Sequence, residues 1–183
     1  MVSFLRWVLP SLAACVVAPS SSAPDVCALG ECAGSGQLTH VSFDDFRIIR
    51  DNLAGGHRTT RHRLIPFRLF TDPPVARIGL SERDASRPGL EVRVAELPMG
   101  AVLLTLTIAE TRGFMKVLVE AQSDRILGFT MLGQEAGEVM AIVQMAMVAG
   151  LPDAGLRDSV FTHPAMAEGP VSLLANVPAS ATR

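Results

Sequence analysis

No Gly-x-Gly-x-x-Gly occurs in the 183 residues, so the glycine-rich turn that seats a dinucleotide pyrophosphate on a helix N-terminus is absent. Cysteine is scarce. Cys15, Cys27 and Cys32 are too few and too clustered for a secreted disulfide framework, which makes a reducing, cytoplasmic setting the simpler expectation. An excess of charge of one sign is lacking too: 16 Lys+Arg against 18 Asp+Glu leave a formal charge of -2. Such a balance gives no general attraction to nucleic acid or to an anionic membrane, and neither partner is expected. There is no internal repeat or low-complexity tract. A long apolar run is also wanting, since the stretch from Trp7 to Ala18 is short and interrupted by Pro10. With Arg6 before it and a run of serines after it, this stretch has the outline of a signal peptide. Its charged start is thin, so residues 1–22 read as a chance apolar leader, with export as the alternative.

What is present suffices for one substantial core, because 49% of the residues are hydrophobic. From Asp25 the texture changes. Val26-Cys27-Ala28-Leu29 reads as a short buried strand, and Gly30-Glu31-Cys32-Ala33-Gly34-Ser35-Gly36 as a loop of small residues. A helix follows from Thr39 to Asn52, with Phe43, Phe46, Ile49 and Leu53 at three- and four-residue steps and Ala54-Gly55-Gly56 as its stop. The run from His57 to Arg63 holds arginines and histidines without interleaved aromatics, so it reads as a solvated linker at a domain boundary. His57 and His62 lack a third ligand nearby, and no metal site is expected.

Beyond the linker, Ile65 to Phe70 and Val75 to Leu80 read as strands separated by Thr71-Asp72-Pro73-Pro74. Ser81 with Asp84 opens a short helix that Pro88-Gly89 ends, and Glu91 to Leu97 alternates as a strand. Phe114 to Glu120 and Arg125 to Leu132 form the clearest hairpin. Between Glu135 and Gly150 the apolar residues Val139, Met140, Ile142, Val143, Ala146, Met147 and Ala149 are too many for one stripe, which predicts a helix buried on two sides. The pattern is α+β: an antiparallel sheet with helices packed at one side.

Near the end stands Phe161-Thr162-His163-Pro164-Ala165-Met166-Ala167-Glu168. Proline after histidine disfavours helix at His163, placing the imidazole on a bend before a short helix that carries Glu168. A carboxylate bonded to one ring nitrogen fixes the tautomer and leaves the other nitrogen as a base. A His-Pro bend beside a glutamate is also ordinary turn and cap chemistry.

The block resembles the His-Pro-Thr-x-x-Glu ending of the flavin-dependent pyridine nucleotide-disulfide oxidoreductases, the family of dihydrolipoamide dehydrogenase, glutathione reductase and mercuric reductase. Phe70-Thr71-Asp72-Pro73, Arg77-Ile78-Gly79-Leu80-Ser81-Glu82 and Gly113-Phe114-Met115-Lys116 are similar to the same family's interface domain. The resemblance implies a tail of the FAD domain and a linker over residues 23–62 and a dimerisation domain over 63–183. It implies that His163 serves as proton acceptor and donor, oriented by Glu168, at the redox disulfide and flavin of the other subunit of a homodimer. Gly30-Glu31 resembles the family's second flavin motif, in which a carboxylate binds the ribityl hydroxyls, although aspartate is commoner there. Gln37-Leu38-Thr39-His40, by itself an ordinary helix start, then matches the turn against the pyrimidine edge of FAD. Cys27 and Cys32 have the spacing of the family's redox disulfide but none of its helical Gly, Thr, Pro and Lys context, and are not expected to be it. The implied whole enzyme takes electrons from NAD(P)H. The alternative is a non-enzymatic module that dimerises or pairs with an intact paralogue.

Overall fold

The computed structural model describes residues 26–179. The chain divides into two compact units between Arg63 and Leu64.

In the first unit, a 3-10 turn at Gly30–Ala33 precedes helix α1, Thr39–Leu53. The strand expected at Val26 to Leu29 is not formed: this stretch is irregular, and Val26 and Leu29 are exposed. A strand persists through ladder bonds to a neighbour, and no described residue pairs with this one. The helix forms as its periodicity predicts but turns a different face inward. Val41, Asp45, Ile48, Ile49 and Asn52 are buried, while Phe43, Phe46 and Leu53 are exposed. Both faces satisfy helical spacing. The inward one is set by two polar side chains that satisfy flanking backbone: Asp45 accepts from the Gly30 amide, and Asn52 exchanges two bonds with Arg58, at 2.8 and 3.0 Å. The linker arginines are therefore partly engaged. Arg58 and Arg63 both reach Asp44, and Arg63 also reaches Asp45.

The second unit is a five-stranded sheet in which every pairing is antiparallel. Its strands are β1 Phe67–Leu69, β2 Val75–Gly79, β3 Val92–Pro98, β4 Phe114–Glu120 and β5 Ile126–Leu132, in the order β1-β2-β5-β4-β3. β1 is shorter than its apolar run because Pro66 cannot donate to a ladder, which confines the segment to an edge. Alternation along the strands puts Ala76, Ile78, Leu97, Met115, Val117, Phe129 and Met131 in one buried cluster with the helices. Two motif glycines sit at close backbone approaches. A Cβ at Gly79 would lie 2.2 Å from the Leu127 carbonyl oxygen, and one at Gly113, where φ is +106°, would lie 1.9 Å from that of Leu132.

Short helices α2, Glu82–Ala85, and α3, Leu103–Thr107, connect the strands. Helix α4, Ala136–Val148, packs on β2 and β5, and α6, Gly169–Ala175, packs on β3 and β4, with α5, Asp153–Arg157, between them in sequence. The expectation of a helix buried on two sides is corrected for the single chain. α4 buries Ala136, Val139, Met140, Val143 and Ala146, but Met145 and Val148 are exposed. One sheet covers one face, and among the described residues of the second unit no second sheet lies over the other. No helix among the described residues is long and apolar enough to cross a membrane.

Candidate functional site

His163 is held by the fold of its own short segment. After His163-Pro164 the chain makes a 3-10 turn, Met166–Glu168, that runs directly into α6 with Pro170 in its first turn. Met166, Leu173 and Leu174 are buried in the main core, so the turn is anchored on both sides of Glu168. Glu168 Oε1 lies 2.8 Å from His163 Nδ1, and its Oε2 accepts the Ala165 amide at 2.8 Å. The carboxyl is held below the ordinary glutamate range, first by the hydrogen bond to His163 and then by the Ala165 amide, against partial burial. An ionised carboxylate only accepts hydrogen bonds, so Nδ1 carries the proton and Nε2 keeps its lone pair. The imidazole is 61% exposed and Glu168 30%. The carboxylate thus holds one ring nitrogen of an imidazole that is largely exposed.

The second cluster belongs to the first unit. Glu31 is exposed within the Gly30–Ala33 turn. Gln37 and Leu38 lead into α1, Leu38 is its extended N-cap, and Thr39 and His40 begin its first turn. No side chain caps that start; the Leu38 amide donates to the Gly36 carbonyl at 2.7 Å, and the Val41 and Ser42 amides donate to the Leu38 carbonyl at 3.0 and 3.1 Å. The turn is fixed against the helix by Asp45. This fully buried carboxylate accepts the Gly30 amide at 2.9 Å and pairs with Arg63 at 2.6 Å. Burial pushes its carboxyl up, but bonds from Ser35, Arg63 and Gly30 outweigh this and leave it below the ordinary aspartate range.

The fold thus joins His163 to Glu168, and it joins the Gly30-Glu31 turn to α1. Asp45, Arg63 and Ser35 were not found by sequence reasoning. A signal existed, because Asp45 falls at helical spacing between Val41 and Ile48, and a carboxylate on an apolar stripe requires a partner. Cys27 is half-buried against Ile48 and Ile49, while Cys32 is exposed with its thiol 3.1 Å from the Leu29 carbonyl. Both are free thiols. Among the described residues no group of three or more His, Cys, Asp or Glu is placed to hold a metal.

Comparison with known proteins shows the family and the fold. Residues 65–174 match the family model described as pyridine nucleotide-disulphide oxidoreductase, dimerisation domain. The chain is 39% identical over 150 residues to the probable pyridine nucleotide-disulfide oxidoreductase RclA of Escherichia coli, covering 81% of this chain and 34% of that protein. It is 32% identical over 155 residues to mycothione reductase of Mycobacterium tuberculosis, covering 81% and 34%. Among solved structures, the HOCl-induced flavoprotein disulfide reductase RclA from Escherichia coli superposes with a TM-score of 0.82 at 38% identity, covering 86% of this chain and 37% of that one. The chain therefore spans about a third of the length of the relatives it matches. It belongs to the pyridine nucleotide-disulphide oxidoreductase family, of which residues 65–174 form the dimerisation domain.

Proposed function

We propose that this chain is the C-terminal, dimerising part of a flavin-dependent disulfide oxidoreductase, and that it presents His163 and Glu168 to the redox disulfide and flavin of a partner subunit. The observation that carries this reading is the 2.8 Å bond between His163 Nδ1 and Glu168 Oε1 inside a dimerisation domain of that family. Disulfide exchange needs a proton removed as a thiol becomes the attacking thiolate, and returned as a thiolate leaves. His163 Nε2 takes that proton from the thiol, and Glu168 stabilises the imidazolium formed. The same nitrogen gives the proton to the departing sulfur. Imidazole suits the task because it exchanges protons near neutral pH.

The residues present fit one portion of FAD. Glu31 offers an exposed carboxylate on a turn locked by Asp45, suited to ribityl hydroxyls, and Gln37 to His40, leading into α1 beside that turn, is the stretch that would lie along the pyrimidine edge. When bound, FAD would supply two-electron transfer between NAD(P)H and the disulfide. The phosphate-seating fingerprint is absent from this chain, so by itself it is expected to hold flavin weakly or not at all and to show no turnover. A second reading, a non-enzymatic module pairing with itself or with an intact paralogue, draws on the exposed Leu103, Leu106, Ile108, Met145 and Val148.

Sedimentation velocity with absorbance detection tests the proposal. A dimer of the 19.5 kDa chain without a flavin band is expected. A monomer at micromolar concentration, or a flavin band that survives gel filtration, would contradict it.

A further inference from the structure

We propose that Gly169 is a positioning residue for the His163–Glu168 pair, and this inference rests on the functional reading of that pair. Gly169 directly follows Glu168 and is buried at the first position of α6. Its φ is -55°, an ordinary helical value, so glycine is not required there for conformational freedom. Space is the reason instead. A Cβ at this position would lie 2.5 Å from Met115 Cε, 2.9 Å from Met115 Sδ and 3.3 Å from Val102 Cγ2.

The two neighbours differ in what they can yield. Met115, on strand β4 between β5 and β3, has no exposed surface, but its thioether end is flexible and can swing to admit one methyl. Val102 is 3% exposed and β-branched, and its methyl is stiff at χ1. A single added carbon is therefore largely absorbed by Met115, whereas a branched side chain meets both walls. Because Met166 on one side and Leu173 and Leu174 on the other are fixed in the core, the displaced backbone carries Glu168 with it. Glu168 Oε1 and Oε2 each hold one bond of 2.8 Å, to His163 and to the Ala165 amide. A shift of about an ångström takes such a bond out of range. Gly169 thus sets the distance between carboxylate and imidazole by letting the chain after Glu168 close on Met115 and Val102.

The readout is the tautomer of His163 in the full chain, from ring nitrogen chemical shifts at a pH where the ring is neutral. Wild type is expected in the Nδ1–H form. Glu168→Ala is expected to move it toward the Nε2–H form that free imidazole favours, and Gly169→Val to move it the same way. Adding Met115→Ala to Gly169→Val, which opens the contested space, is expected to restore the Nδ1–H form, whereas a residue that mattered only for stability would leave the tautomer of the folded protein unchanged. If Gly169→Val does not fold, Gly169→Ala decides, with a smaller shift that Met115→Ala reverses. An unchanged tautomer in a folded Gly169 variant, or a shift that Met115→Ala fails to reverse, would overturn the inference. A Glu168→Ala protein with a wild-type tautomer would instead sink the pair itself.

Discussion

The backbone amide of Gly30 donates at 2.9 Å to the carboxylate of Asp45, a group with no exposed surface that lies 15 residues further along the chain. This one bond ties the turn that carries Glu31 to helix α1, and Arg63 closes the arrangement from the other carboxylate oxygen.

Asp45→Ala is expected to destabilise the first unit by about 1–3 kcal/mol, because it strands a backbone amide and leaves Arg63 without its closest partner. Hydrogen exchange at Gly30 checks this directly, since its protection should disappear. The pH dependence has a definite sign. Asp45 titrates below an ordinary aspartate, so its contribution is complete above the ordinary aspartate range and is lost as pH falls through the lowered value. Asp45→Asn should flatten that acid limb.

The His163–Glu168 pair depends on pH with the same sign. The Glu168 carboxyl is held below the ordinary glutamate range by His163 first and the Ala165 amide second. The pairing is therefore intact above that range and fades as pH drops through the depressed value. Carboxyl carbon NMR should give a midpoint below the ordinary glutamate range. A midpoint at the ordinary glutamate value would mean that the bond to His163 does not persist in solution.

Helix α2 begins with a reciprocal cap in which the Ser81 hydroxyl accepts the Asp84 amide at 3.1 Å while Asp84 accepts the Ser81 amide at 3.0 Å. Bonds from the Ser81 hydroxyl and amide, with help from Arg77, hold the Asp84 carboxyl at about 2. Ser81→Ala should cost about 1 kcal/mol in urea unfolding. Its loss should also weaken the decline in thermal stability as pH is lowered from the ordinary aspartate range toward about 2, since the depressed group contributes fully only above that range.

The two faces of α1 predict opposite sensitivities. Ile48, 2% exposed, should cost about 2–4 kcal/mol as alanine. Phe43, 61% exposed, should change stability by no more than about 0.5 kcal/mol as serine. Parallel denaturation of Ile48→Ala and Phe43→Ser distinguishes this packing from the face that simple periodicity selects.

That contrast shows where the sequence was legible. The sheet strands could be read because alternation, turn residues and the polar hairpin loop at Ala121 to Asp124 all agree locally. The existence of α1 and α4 could be read for the same reason. Which face each buries could not, because apolar residues surround both helices and the choice rests on distant partners: Gly30 and Arg58 for α1, the single sheet for α4. The failed strand at Val26 to Leu29 has a similar cause, since apolar content marks burial only where a neighbouring layer exists. At the candidate site, the meeting of His163 with Glu168 was legible through the resemblance to the family's His-Pro-Thr-x-x-Glu ending, since the spacing and the proline bend alone fit ordinary turn chemistry as well. Asp45 and Gly169 were not, since one acts through a backbone amide and the other through the absence of a side chain against Met115.

The central claim is that His163 serves a partner subunit. The most direct measurement is complementation in trans: co-expression with a full-length flavin disulfide reductase of the family whose own matching histidine is replaced by alanine, followed by assay of NAD(P)H-dependent disulfide reduction in the purified mixed dimer. Activity restored by the wild-type chain and abolished by His163→Ala is the expected result. A mixed dimer that forms but stays inactive, or one equally active with His163→Ala, would contradict the proposed role.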